Sequence, residues 1–144
     1  LTQVDWLTGE GLSGIDDPAA VDAAFERREE HLGTAVIGLA LTCPPDVASP
    51  RIVRAMRVLE APRREFAFTA AGTVARLHGT LTPELYAALR AEGPGGVAEN
   101  AIRDVLTFVP FRQLPPWFKW RLLWTTVRDT ALGWWLRLSS SLRT

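Results

Sequence analysis

Prolines at positions 18, 50, 83 and 116 recur at steps of 32, 33 and 33 residues. Three of them follow a residue able to cap a helix, in Asp17-Pro18, Ser49-Pro50 and Thr82-Pro83, while Pro116 follows Pro115. A cap oxygen accepts one of the orphan amides of a first helical turn, and proline at the next position has no N–H to lose. Each dipeptide therefore predicts a helix start, and a period in the low thirties predicts stacked helical hairpins. The alternative is an irregular helical bundle in which the spacing carries no meaning.

The residues after each start fit a helix and not an alternating strand. Pro18 opens AAVDAAFERREEHL, Pro50 opens RIVRAMRVLE and Pro83 opens ELYAALRAE. Each should be succeeded by a second helix. Past Ala61-Pro62, Ala67, Ala70, Ala71, Val74 and Leu77 share one face. Past Gly93-Pro94-Gly95-Gly96, Val97, Ala101, Val105 and Phe108 share another, with Ala98, Ile102 and Val109 beside them. Stripes this rich in alanine let helices approach closely. The second helix of the first pair falls on Thr34 to Leu41, where TAVIGLALT also suits a buried strand.

The segment R-R-E-F-A-F-T-A-A-G-T-V-A-R-L, Arg63 to Leu77, resembles the second helix of short HEAT-like repeats, the compact kind known from phycobilisome lyases and bacterial adaptor proteins. The resemblance is best over residues 49–109 and implies an all-α, short right-handed solenoid of three to four hairpins. The histidine-glutamate pairs of metal-binding hydroxylases with this fold are absent. Solenoids of paired helices commonly bind through the concave face made by the second helices. On that basis Phe68, Arg76, Asn100, Arg103 and Asp104 are outward-facing candidates, each with a purely solvated role as its alternative.

A chain of 144 residues is expected to form one domain and can bury roughly 70% of its extended surface. Charged residues of both signs make up 22% and apolar ones 47%, a balance that excludes a disordered chain. A single cysteine, Cys43, excludes an internal disulfide and a cysteine-based zinc site, and it points to a reducing, cytoplasmic compartment. The acidic N-terminus has no uninterrupted apolar core, so no signal peptide is expected. Net charge is zero but uneven. Residues 1–35 carry eight acids and two bases (−6), and residues 36–110 seven acids and eight bases (+1). Residues 111–144 carry six bases and one acid, Asp129 (+5).

The inventory for chemistry is thin. His31 and His78 both fall near predicted helix ends, where a histidine bonds free carbonyls at a C-terminus. Cys43 lies in the turn T-C-P-P and reads as a small buried hydrophobe, with a Cys–His nucleophile as the remote alternative. Asp16-Asp17 flanks a helix start and Glu29-Glu30 sits on a mixed-sign face, so neither resembles an acid–base dyad. Gly93-Pro94-Gly95-Gly96 lacks the lysine and hydroxyl of a phosphate loop. No enzyme, cofactor or metal is expected.

Five of six tryptophans lie between residues 117 and 135. On a helix from Pro116, Trp117, Trp120, Trp124, Val127, Ala131, Trp134, Trp135 and Leu138 fall on one wide face, and Phe118, Leu122, Leu132 and Leu136 on a second strip. Arg121 and Arg128 border the tryptophans, and Lys119, Thr126, Thr130 and Arg137 mark a polar line. Three roles compete: a capping repeat buried in the domain, a surface that docks a partner protein or a second copy, and a helix on an anionic membrane surface. Charges within the segment exclude spanning. Nucleic acid is disfavoured, because basic charge is not spread along the repeats. The expected function is a non-enzymatic protein-interaction module of adaptor, inhibitor or immunity type. Its contacts would be Trp117, Phe118, Trp120, Arg121, Leu122, Trp124, Arg128 and Leu136, together with Phe68, Arg76, Asn100 and Arg103.

Overall fold

A computed structural model of the chain describes residues 3–141, and among these it contains seven α-helices, two 3₁₀ turns and no strand. The helices are α1 (Pro18–Arg27), α2 (Leu32–Thr42), α3 (Pro45–Val58), α4 (Arg64–His78), α5 (Pro83–Glu92), α6 (Glu99–Phe108) and α7 (Pro116–Ser141). They divide into two compact units, one ending at Pro110 and one beginning at Phe111.

Two of the cap-proline signals act as expected. The Asp17 carboxylate accepts the Ala20 amide at 3.2 Å with Pro18 at the first helical position. The Thr82 hydroxyl accepts the Leu85 amide at 3.3 Å ahead of Pro83. Pro116 opens α7. Ser49-Pro50 does not start a helix: α3 begins at Pro45, and Pro50 lies inside it. The cause is the pair Pro44-Pro45 just upstream. A residue before proline is pushed out of the helical region, so Pro44 stays extended and Pro45 takes the first position. The Ser49 hydroxyl then donates back to the Pro45 carbonyl inside the helix rather than capping it. Pro50 cannot donate to the Asp46 carbonyl, but both residues are exposed, so water can satisfy that group. Helix starts at 18, 45, 83 and 116 give steps of 27, 38 and 33, so the even proline period is not the period of the helices.

In the unit ending at Pro110 the odd and even helices form two layers. α3 packs between α1 and α5, α4 packs between α2 and α6, and the pairs α1–α2 and α3–α4 close hairpins. This packing is compatible with a helical repeat. α2 is helical, which excludes the strand alternative for Thr34 to Leu41. It is buried by α1, α3, α4 and the turn Leu12–Gly14, and that burial on nearly every side explains why its sequence shows no polar face. The first helix is shorter than its sequence pattern, because Arg28 turns left-handed (φ 56°) and ends it.

Small residues set the layer spacing. A Cβ on Gly38 would run into the Leu12 carbonyl oxygen, so glycine lets the Leu12–Gly14 turn lie on α2. The Thr42 hydroxyl, 2.7 Å from the Ile15 carbonyl, fixes the end of that turn. Gly72, with Ala101 behind it, brings α4 against α6. The α4 stripe is buried at Ala67, Ala70, Ala71 and Val74, but Leu77 is exposed. In α6, Ala98, Ala101, Ile102, Val105 and Val109 are buried, while Phe108 is exposed and Val97 partly so.

Arginines tie the helices at their rims. Arg51 holds Asp22 through two hydrogen bonds, of 3.1 and 2.8 Å, and Arg54 reaches Glu26 at 2.8 Å, joining α3 to α1. Arg64 is the busiest. It forks onto Glu92 (2.9 and 2.7 Å), donates to the Met56 carbonyl at 2.8 Å, and lies over the Phe68 ring at 4.9 Å. The hydrogen bonds from Arg64 hold the Glu92 carboxyl below the usual carboxylate range.

Candidate functional site

α7 is 26 residues long, about 39 Å at 1.5 Å per residue. Its first turns are partly enclosed. Phe118 is buried with Trp117 edge-on to it at 4.8 Å, and Arg121, Leu122 and Thr125 are half-buried on the same side. The opposite side is open: Trp120 is 73% exposed, Trp124 62%, Trp134 64% and Trp135 66%. Leu123, Val127, Leu132, Leu136 and Leu138 are exposed as well. In the structure the tryptophans from Trp120 onward are exposed, unlike the buried tryptophans that the capping-repeat role expects. Largest apolar patches on monomeric proteins are ~300–600 Å². Four tryptophans two-thirds exposed already contribute on the order of 600 Å².

Charge surrounds this surface. Lys119 lies over the Phe111 ring at 5.5 Å, and Arg128 approaches its neighbour Asp129 at 3.8 Å. Arg121 and Arg137 make no ion pair among the described residues. The surface is thus apolar, aromatic and cationic, with its charges uncommitted to other helices.

The sequence-derived contact residues are divided between the two compact units. Trp120, Trp124 and Arg128 share the open face of α7, and Leu136 is exposed on the second strip. Trp117, Arg121 and Leu122 are half-buried. Phe118, expected to contact a partner, is only 1% exposed and belongs to the packed part of its unit. On the even-helix layer, Arg76 and Asp104 meet at 3.7 Å and Arg103 approaches Glu99 at 3.8 Å, while Asn100 is exposed. Phe68, expected to face outward with them, is 2% exposed under Arg64. It faces the groove lined by Val53, Met56 and Ala88, on the odd-helix side. Leu123, Val127, Trp134, Trp135 and Leu138 belong to the open face but lie outside the expected contacts, although their helical spacing already placed most of them there.

The other groups with chemical potential hold structural positions. His78 ends α4 as expected, but His31 stands at the start of α2, where Nε2 lies 3.2 Å from the Leu7 carbonyl and ties down the N-terminal segment. Asp5 caps that segment, accepting from the Leu7 amide at 2.9 Å, and this bond lowers its pKa. Cys43 is buried at the end of α2. Among the described residues no group of histidine, cysteine and carboxylates is placed to hold a metal, and no helix is long and apolar enough to cross a membrane. Comparison with family models, with curated proteins and with solved structures finds no match for this chain.

Proposed function

We propose that this protein is a non-enzymatic protein–protein interaction module, of adaptor, inhibitor or immunity type, whose binding element is α7. The unit ending at Pro110 serves as the scaffold, a short right-handed solenoid of HEAT-like hairpins in a reducing, cytoplasmic setting. One observation carries this reading: the tryptophan face of α7 is open to solvent in a chain whose other helices bury most of their apolar stripes. Tryptophan and arginine are the side chains that most often anchor interfaces, and here they alternate along one helix.

The test compares the native chain with Trp120→Ser/Trp124→Ser. The variant should keep its unfolding midpoint and lose the protein that co-purifies with the native chain. Collapse of the fold in the variant would show that the tryptophans are core and end this reading. A second reading, contact with an anionic surface such as a membrane or nucleic acid, is favoured by the uncommitted Arg121 and Arg137. Flotation with anionic vesicles tests it, and failure of the protein to float removes the lipid form of it.

A further inference from the structure

The cations of α7 are not scattered around it. At about 100° per residue, the exposed Trp120, Trp124, Val127, Trp134, Trp135 and Leu138 fall within one arc about 100° wide, and no polar residue of the helix falls inside it. Arg121 and Arg128 follow one edge of the arc within about 40°, and Lys119 and Arg137 follow the other within about 60°. Asp129, the one acid of α7, stands almost opposite the middle of the arc. The second apolar strip is of another kind. Leu122 is half-buried beside the buried Phe118, and Asp129 interrupts the strip before Leu132 and Leu136.

Each class of partner asks something different of such a face. A groove on a protein meets cations with carboxylates at fixed points, and here they would have to reach from Lys119 to Arg137 on both flanks, about 27 Å at 1.5 Å per residue. Nucleic acid pairs with the cations and leaves the apolar arc in water. An anionic lipid surface answers both demands, with apolar chains beneath a continuous layer of negative charge. Lysine and arginine at the flanks reach the headgroups on their aliphatic stems while the arc sinks below them. Tryptophan suits that boundary, its ring being apolar with one polar N–H. The attraction is confined to this end of the chain. Residues 111–144 carry +5, whereas residues 1–35 and 36–110 carry −6 and +1, −5 in all.

Resting on the reading of α7 as the binding element, we propose that α7 lies flat on an anionic lipid surface, with its tryptophan arc sunk about 5–10 Å and its four cations among the headgroups. This gives the second reading above one occupant, lipid rather than nucleic acid. Asp129 then faces water, away from the negative surface.

Vesicles of phosphatidylcholine with about 30% phosphatidylserine, against pure phosphatidylcholine, test this on the intact chain through its tryptophan emission. The emission should move to shorter wavelength. Partitioning should be at least about tenfold stronger on the anionic vesicles and should weaken from about 0.05 to about 0.5 M salt. Arg128→Gln/Arg137→Gln, one cation from each flank, should lower it about tenfold. A spin label at Val127→Cys should lose contact with a water-soluble relaxation agent when vesicles are added, while one at Ser140→Cys, behind the arc, keeps it; Cys43 is buried and stays unlabelled. Equal partitioning to both vesicles, or equal loss of contact at both labels, overturns the proposal. A Val127 label shielded before vesicles are added also overturns it, since a protein surface or a second copy then covers the arc and the broader reading stands. A folded chain that ignores vesicles and binds a DNA oligonucleotide leaves only the nucleic-acid form of the second reading. If Trp120→Ser/Trp124→Ser unfolds the protein, the arc is core and both readings fall.

Discussion

The unit ending at Pro110 and α7 use the same side chains, arginine and large apolar groups, to opposite ends. In the former, arginines are engaged between helices: Arg51 and Arg54 on α1, Arg64 on Glu92, Arg76 on Asp104, with Arg54 and Arg64 also lying over Phe25 and Phe68. In α7 the only ion pair among the described residues joins neighbours, Arg128 and Asp129, and most of the aromatic rings face outward. The difference follows from neighbours. Two layers of short helices give Arg51, Arg54, Arg64 and Arg76 a carboxylate on another helix, whereas α7 offers its arginines only Asp129. Composition alone does not separate a buried face from an exposed one; the availability of a second helix does.

The sharpest way to break this contrast is a matched pair of truncations. Leu39→Ala, at a fully buried position of α2, should cost about 2–5 kcal/mol in chemical denaturation followed by circular dichroism. Next comes Gly38→Ala, which forces a methyl into the Leu12 carbonyl and should cost about 1–3 kcal/mol by the same measurement. A comparable value for Ala or Ser at Trp124 would erase the distinction between the two regions.

Smaller effects sharpen it. Thr82→Ala removes the cap of α5 and should cost about 1 kcal/mol. The Arg64–Glu92 pair is partly exposed, so its contribution is at most about 1 kcal/mol after screening. Because the Glu92 pKa is depressed in the folded state, that contribution is present above the carboxyl's unfolded pKa and is lost as pH falls through the folded value. Glu92→Gln should flatten this acid limb when melting is followed against pH. At the bottom of the scale, Trp124→Ser on the monomer should change stability by no more than about 0.5 kcal/mol, a null effect that is itself the test.

Local chemistry was the legible part. Asp17-Pro18 and Thr82-Pro83 start helices because a cap and a proline act within one turn. Ser49-Pro50 has the same grammar and fails, because Pro44-Pro45 five residues earlier nucleates first. The α-helical class and the close packing of alanine-rich α4 and α6 were readable from spacing. Helix or strand at α2 was not, since burial on all sides leaves an apolar run without a period. Phe68 misled for a related reason: α4 is apolar on two sides, and spacing alone does not say that Arg64 covers the second. For α7 the helix and its tryptophan face were legible. Their exposure was not, because burial depends on which elements reach them.

The concentration of tryptophan in α7 has an optical consequence. Five of the six indoles sit there, and only Trp6 belongs to the unit ending at Pro110. Intrinsic emission is therefore a report on the surroundings of one helix, while far-ultraviolet dichroism is dominated by the other six. Coincidence of the two signals is a standard sign of two-state unfolding. Here they can separate without any folding intermediate, simply because changes around α7 and melting of the other helices are read by different chromophores. The protein thus carries its own built-in reporter, one that follows the surroundings of α7 and is nearly blind to the core.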